Sequence, residues 1–157
     1  MSRDKRKKRV ATGVISNRRA GFDYALGDEL KVGMSLDGRR VRAARDGHVQ
    51  LRGSYVTVKD GELWLNGASF TLKLNTRGGE ERAVDTSAVK LLAKRQQILA
   101  LAREKKDGLT IVPTKLITNG RFIKLVVALG RGKKRYDKRE TIKRRDVERE
   151  HKRMMKV

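Results

Sequence analysis

The chain has 157 residues, with 40 Lys and Arg against 18 Asp and Glu, a formal net charge of +22 and no cysteine. That length suits one core, and the absence of thiols excludes disulfides, cysteine-ligated zinc and a thiol nucleophile, as expected of a cytoplasmic protein. Folding gains nothing from so large a self-repulsion, whereas a phosphate backbone neutralises it, so nucleic acid is the expected partner.

The basic cluster Arg3 to Arg9 has nothing to bury, and residues 1–10 are expected to be disordered. No apolar h-region follows it, and no window reaches the roughly 20 apolar residues of a membrane span, so neither a secretory signal nor a membrane partner is expected. Val10 to Ile15 and Ala20 to Leu26 have strand-like apolar content around the polar Asn17-Arg18-Arg19, with Gly27-Asp28 as a break. From Glu29 to Leu36, Leu30, Val32, Met34 and Leu36 alternate as in a strand. Val41 to Ala44 is a short apolar and basic run that ends at Asp46-Gly47. Ser54 to Val58, then Lys59-Asp60-Gly61-Glu62, then Leu63-Trp64-Leu65 predict a hairpin. Thr76 to Glu81, with Gly78-Gly79, reads as a loop.

Asp85 to Lys106 is the strongest helix pattern, with Ala88, Leu91, Leu92, Ile98, Leu99 and Ala102 at helical spacing, and Gly108 to end it. Leu109 to Ile117 and Arg121 to Leu129 predict a second hairpin across Asn119-Gly120, the pair favoured in type I′ turns. Strands on both sides of a helix argue for a mixed, mostly-β fold: an OB-like Greek-key small barrel over residues 11–131, with flanking helices. The tail, 132–157, stands apart. From Arg131 to the end there are thirteen Lys and Arg against five Asp and Glu, and Ile142, Val147, Met154 and Met155 are too sparse to form a buried face. Glu140 with Arg144 and Glu148 with Lys152 are favourable i,i+4 pairs, each worth a few tenths of a kcal/mol, which does not offset the repulsion in water. The tail is expected to be mostly unfolded alone and helical when bound.

Catalysis has little support. His48 and His151 lie in a turn and in the tail, and no serine sits in a nucleophile-elbow pattern. Asp28-Glu29 and Glu80-Glu81 are adjacent pairs whose side chains diverge on a strand, so neither a metal site nor any cofactor is expected. Gly130-Arg131-Gly132-Lys133-Lys134 lacks P-loop spacing, but its glycines let backbone and Lys133 approach phosphates; ending a strand explains Gly130 equally well. Tyr136, the tail's one aromatic, suits either base stacking or closure over the barrel edge. Trp64 reads as a barrel residue.

Asn17-Arg-Arg-Ala20, Ser54-Tyr-Val56, Asp60-Gly-Glu-Leu-Trp-Leu65, Lys90-Leu-Leu92, Val112-Pro113, Lys115-Leu116 and Gly132-Lys-Lys-Arg-Tyr-Asp-Lys-Arg139, followed by Ile142-Lys143 and Arg145, together resemble the bacterial SsrA-binding protein (small protein B) family. The order and spacing match over nearly the whole chain. The resemblance implies an OB-like barrel that binds the tRNA-like domain of transfer-messenger RNA (tmRNA) as a monomer, performs no chemistry, and accompanies the RNA to stalled ribosomes for trans-translation. Elongation factor Tu is the implied indirect partner, through the RNA. The tail would enter the empty mRNA channel beyond the decoding centre, against small-subunit RNA, and become helical there.

Carried over by position, Asn17, Arg40, Arg42, Arg45, Lys90, Leu91 and Lys94 would form the tmRNA surface, with Lys90 and Leu91 at a helix start. Gly132, Lys133 and Lys134 would form the junction, Tyr136 would face the decoding centre, and Asp137, Lys138, Arg139, Ile142, Lys143 and Arg145 would line the channel. The resemblance also favours a helix over 29–36, against the alternation. Two departures stand out. Arg40, within Gly38-Arg-Arg-Val-Arg-Ala43, replaces a usual acidic residue implicated in RNA contact, and Thr71 to Ser87 lacks the family's longer loop. Composition alone also suits a structural ribosomal protein, and a nuclease or RNA-modifying enzyme built on Asp28 or Glu29 is the weakest alternative.

Overall fold

The computed structural model describes residues 13–105 and 108–156, so the N-terminal segment expected to be disordered lies outside the described residues. The elements are β1 (Val14–Ser16), α1 (Arg18–Asp23), β2 (Tyr24–Met34), α2 (Gly38–Arg45), β3 (Val49–Gln50), β4 (Tyr55–Lys59), β5 (Glu62–Asn66), β6 (Ser69–Thr76), β7 (Gly79–Asp85), β8 (Val89–Leu92), α3 (Arg95–Glu104), β9 (Leu109–Ile117), β10 (Lys124–Gly132) and α4 (Arg135–Met154). The larger sheet runs β1-β9-β10-β2-β8-β5-β4, and a further β4–β9 pairing joins its ends into a closed, six-stranded barrel with β1 appended to β9. The expected OB-like barrel with flanking helices is what forms. A second, three-stranded sheet, β3-β6-β7, leaves it beside α2.

Period-2 burial builds the barrel. In β5, Leu63 and Leu65 point inward and are buried, while Trp64 between them is a half-buried residue of the outer face. Phe70, Leu91, Ile111, Leu116 and Leu125 fill the interior with them. The β4–β5 turn is the expected one: Asp60 and Gly61 both take left-handed backbone, φ 52° and 73°, as a type I′ turn requires.

Several elements differ from expectation. Residues 29–36 do not form a helix, because β2 continues to Met34 and pairs along β10; the alternation of Leu30 and Val32 was the better guide. Gly27-Asp28 is not a break but lies inside β2, where the register slips between Ala128 and Gly130 opposite. Residues 18–23 are helical, since the Asn17 side chain caps them by accepting the Ala20 N–H. Residues 38–45 form α2, capped by Asp37, whose carboxylate accepts the Arg40 N–H at 2.8 Å.

The helix expected over 85–106 spans only Arg95–Glu104. Ala88, Leu91 and Leu92 fit helical spacing, but Val89 and Leu91 are buried at period 2 in β8, which pairs with both β5 and β2. The loop expected over 76–81 is a tight hairpin, with β6 and β7 in register up to Thr76 and Gly79. Asn119-Gly120 does not form a type I′ turn. Asp60 is the only non-glycine with positive φ among the described residues, and the connection 118–123 is held instead by Arg45, whose guanidinium donates to the carbonyls of Thr118, Gly120 and Arg121.

Gly130 sits within β10, where a Cβ would lie 2.9 Å from Tyr24 Cβ and 3.2 Å from its ring. Two strand backbones hold both residues, so neither side can yield freely. Gly130→Ala is expected to destabilise the barrel by about 1–3 kcal/mol, read as a lowered midpoint of chemical denaturation against the parent chain.

Candidate nucleic-acid interface

The basic tail leaves the barrel against α1. As β10 ends, the Lys133 N–H donates to the Asp23 carbonyl at 2.8 Å and its ammonium to the Gly21 carbonyl at 3.1 Å. This ammonium also caps a short helix's C-terminal end, where a cation is favoured. The Asp137 carboxylate then reaches back to the Lys134 N–H at 3.3 Å, starting α4. Asp23 anchors the first turn of α4 through Lys138 at 3.2 Å and holds Arg19 at 2.9 Å. Partial burial raises the Asp23 carboxyl, but these two cations outweigh it and leave it below the usual range. The Phe22 ring lies under Arg19 at 4.9 Å and Arg145 at 5.8 Å.

The outcome is a fixed origin for a cationic rod. α4 runs 20 residues and buries none of them, a length of about 30 Å. Tyr136 is 60 % exposed near its start, beside exposed Lys134, Arg135 and Arg139. Of the two i,i+4 pairs, Glu148–Lys152 closes at 2.7 Å, whereas Glu140 and Arg144 form no ion pair among the described residues. A cleft of about 290 Å³ adjoins α1, with Arg19, Asp23, Tyr24 and the half-exposed Tyr55 in its walls. Cations beside exposed aromatic rings are what single-stranded or looped RNA requires.

The SmpB protein family model matches residues 14–157. The chain belongs to the SmpB family. It is 46 % identical to the SsrA-binding protein of Bordetella pertussis, over 91 % of this chain and 92 % of that one. It is 38 % identical to the SsrA-binding protein of Coxiella burnetii, over 99 % and 98 %. A solved structure described as "tmRNA-SmpB: a journey to the center of the bacterial ribosome" superposes with a TM-score of 0.60 at 33 % identity, over 83 % of this chain and 94 % of that one.

Within this SmpB fold the residues carried over from the resemblance divide sharply. Gly132, Lys133, Lys134, Tyr136, Asp137, Lys138, Arg139, Ile142, Lys143 and Arg145 form one continuous junction and helix. The barrel set is scattered, and most of it is engaged internally. Asn17 is buried, its amide donating to the carbonyls of Leu51 (3.1 Å) and Pro113 (2.8 Å). Arg45 holds the 118–121 loop. Leu91 is in the core and Lys90 pairs with Glu62 at 2.5 Å, both on β8 and not at a helix start. Lys94 precedes α3, its N–H donating to Gln97 Oε1 at 3.0 Å, and its side chain is exposed, as is Arg42.

Arg40 is the least available cation. Its guanidinium donates twice to Asp85, at 2.8 and 2.6 Å, contacts the Ser87 hydroxyl, and lies over Phe70 at 5.4 Å. Its side chain is only 11 % exposed. The departure at position 40 is thus matched within the chain by an acid at 85. Bonds from the Ser87 hydroxyl and N–H, then from Arg40, hold the Asp85 carboxyl down at about 2. Sequence reasoning missed Phe22, Asp23 and Arg19, because 20–26 read as a strand and 17–19 as the polar stretch before it. The signal was Asn17 as a helix cap.

Two outcomes follow from this geometry. Asn17→Ala strands two buried carbonyls and uncaps α1, so a loss of about 1–3 kcal/mol is expected in denaturant titration, with loosened amide protection across α1. For Asp85 the folded carboxyl is depressed from 3.8 to about 2, so its stabilisation is complete above 3.8 and lost as pH falls through about 2. The stability gap between the parent and Asp85→Asn, measured by thermal unfolding, should therefore be constant near neutrality and shrink across that acidic window.

Proposed function

We propose that this chain is the tmRNA-binding partner that brings that RNA to stalled bacterial ribosomes, acting in the cytoplasm by binding and not by chemistry. The observation that carries this reading is the junction. Lys133 and Lys138 clamp the start of a cationic helix that buries none of its residues onto α1 in a chain of the SmpB family. The names of its relatives, SsrA-binding proteins, and a neighbouring structure concerned with tmRNA, SmpB and the ribosome support the same partners.

In this reading the barrel and α1 hold the tRNA-like domain, with elongation factor Tu engaged indirectly through the RNA. The tail serves a second RNA surface. A helix of about 30 Å with cations on every side suits a channel walled by phosphates, and Lys143, Arg145 and Arg139 would bind backbone while Tyr136 offers a ring to a base near the decoding centre. Neutralising phosphates also removes the repulsion that opposes the helix in water.

The test separates barrel from tail. Full-length protein should bind tmRNA tightly with a steep salt dependence, and binding no better than to an unrelated duplex of equal length would sink the proposal. Deleting residues 137–157 should leave tmRNA binding within about threefold while abolishing peptide tagging in a reconstituted stalled-translation assay. Equal loss of both would show that the barrel does not bind on its own.

A further inference from the structure

The α2–β6 cleft lies apart from the junction and shares no residue with it. On α2, Arg39, Arg42, Ala43 and Asp46 fall at i, i+3, i+4 and i+7, one face of the helix. On β6, Thr71, Lys73 and Asn75 alternate with the buried Leu72, so period 2 places all three on one side of the strand. These two faces enclose a cleft of about 270 Å³.

Its charges are uncommitted. Arg40, Lys90 and Lys115 elsewhere on the barrel each face a carboxylate, but Arg39, Arg42 and Lys73 form no ion pair among the described residues. The one acid in the wall, Asp46, is exposed at the C-cap of α2 and is also without an ion pair among the described residues. A site with three cations, an amide, a hydroxyl and a single acceptor carboxylate fits a ribose-phosphate backbone better than it fits a free anion. The cations take phosphate oxygens, and Asp46 accepts from a 2′-hydroxyl, a donor that DNA lacks.

We propose that this cleft is a second RNA-backbone site, holding one or two consecutive nucleotides of a single strand through Arg39, Arg42 and Lys73, with Asp46 selecting ribose. It rests on the RNA-binding reading above for the identity of its macromolecule. The strand can come from tmRNA or from ribosomal RNA, since both present the same chemistry. Lys73 and Asn75 exist at this spot because β6 and β7 form a hairpin over 69–85. That is the region where the sequence departs from its family's usual loop.

The test uses full-length protein carrying Arg39→Gln and Lys73→Gln, titrated across salt against a tmRNA transcript, ribosomes and an unstructured RNA of equal length. Both residues lie outside the core, and matching thermal unfolding is the check on folding. A charge-matched control carries Lys59→Gln and Arg103→Gln, both exposed and outside every site described above. The cleft variant should lose affinity on the order of tenfold, and the slope of log K against log salt should fall by roughly 1.4–1.8. Arg39→Lys with Lys73→Arg should keep most of both.

Loss in the transcript arm assigns the strand to tmRNA, and loss in the ribosome arm alone assigns it to ribosomal RNA. A cleft variant that matches the control in all three arms overturns the proposal. Asp46→Asn should cut the preference for RNA over DNA of the same sequence by at least about threefold, and an unchanged preference overturns the role of Asp46. If the parent chain fails on tmRNA, the proposed function falls, while the ribosome and unstructured-RNA arms still decide the cleft.

Discussion

The barrel closes through a narrow seam, and Asn17 sutures it. β4 and β9 meet in a single register pair, Val56 with Ile111, and both residues are nearly inaccessible to solvent. The Asn17 amide bridges the same two segments from outside, from Leu51 just before β4 to Pro113 within β9, while its backbone N–H donates to Thr114 O at 2.7 Å. Its side-chain oxygen starts α1. One buried residue therefore links closure of the core to the position of the helix on which the tail is seated. Residues carried over as RNA contacts can affect RNA binding in this indirect way, because a misplaced α1 would misaim α4 without any contact being lost.

The signals that were legible in the sequence are the local ones. Asp60-Gly61 between two alternating runs specifies its turn and register by itself, since left-handed backbone at both positions suits few other pairs. Glu29 to Leu36 was equally legible by alternation, and the resemblance misdirected it towards a helix that starts only at Gly38. The region from Asp85 to Lys106 was not legible, because Leu91 and Leu92 satisfy helical spacing, and only pairing of β8 between β5 and β2 selects the extended form. Asn119-Gly120 failed for a related reason. Its preference for a two-residue turn is worth little beside three carbonyl bonds from Arg45 and the close approach of Gly13.

The site divides along the same line. Its tail half was visible as charge without an apolar stripe, a property of sequence that needs no fold to interpret. Its barrel half was not, because an arginine in a string of letters does not say whether it faces solvent or a carboxylate. Arg40, Arg42 and Arg45 lie within two turns of one helix, yet the first is locked to Asp85, the last holds a loop, and only Arg42 is open. Burial and pairing, which depend on residues 45 to 76 positions away, decide which cation can meet a phosphate.

That sorting sets how the net charge of +22 can act. Cations paired inside the barrel give it shape but add little to long-range attraction, since each sits beside an acid. On α4, Arg135, Arg139, Lys143, Arg144, Arg145 and Arg153 form no ion pair among the described residues, and the helix buries none of its residues. The chain thus separates two demands that conflict in a single surface. A closed barrel fixes orientation, and an extended helix anchored only near its start carries charge that draws the assembly onto RNA. Because Asp23 and Phe22 hold only the first turns of that helix, its far end is free to follow the walls of whatever phosphate surface receives it.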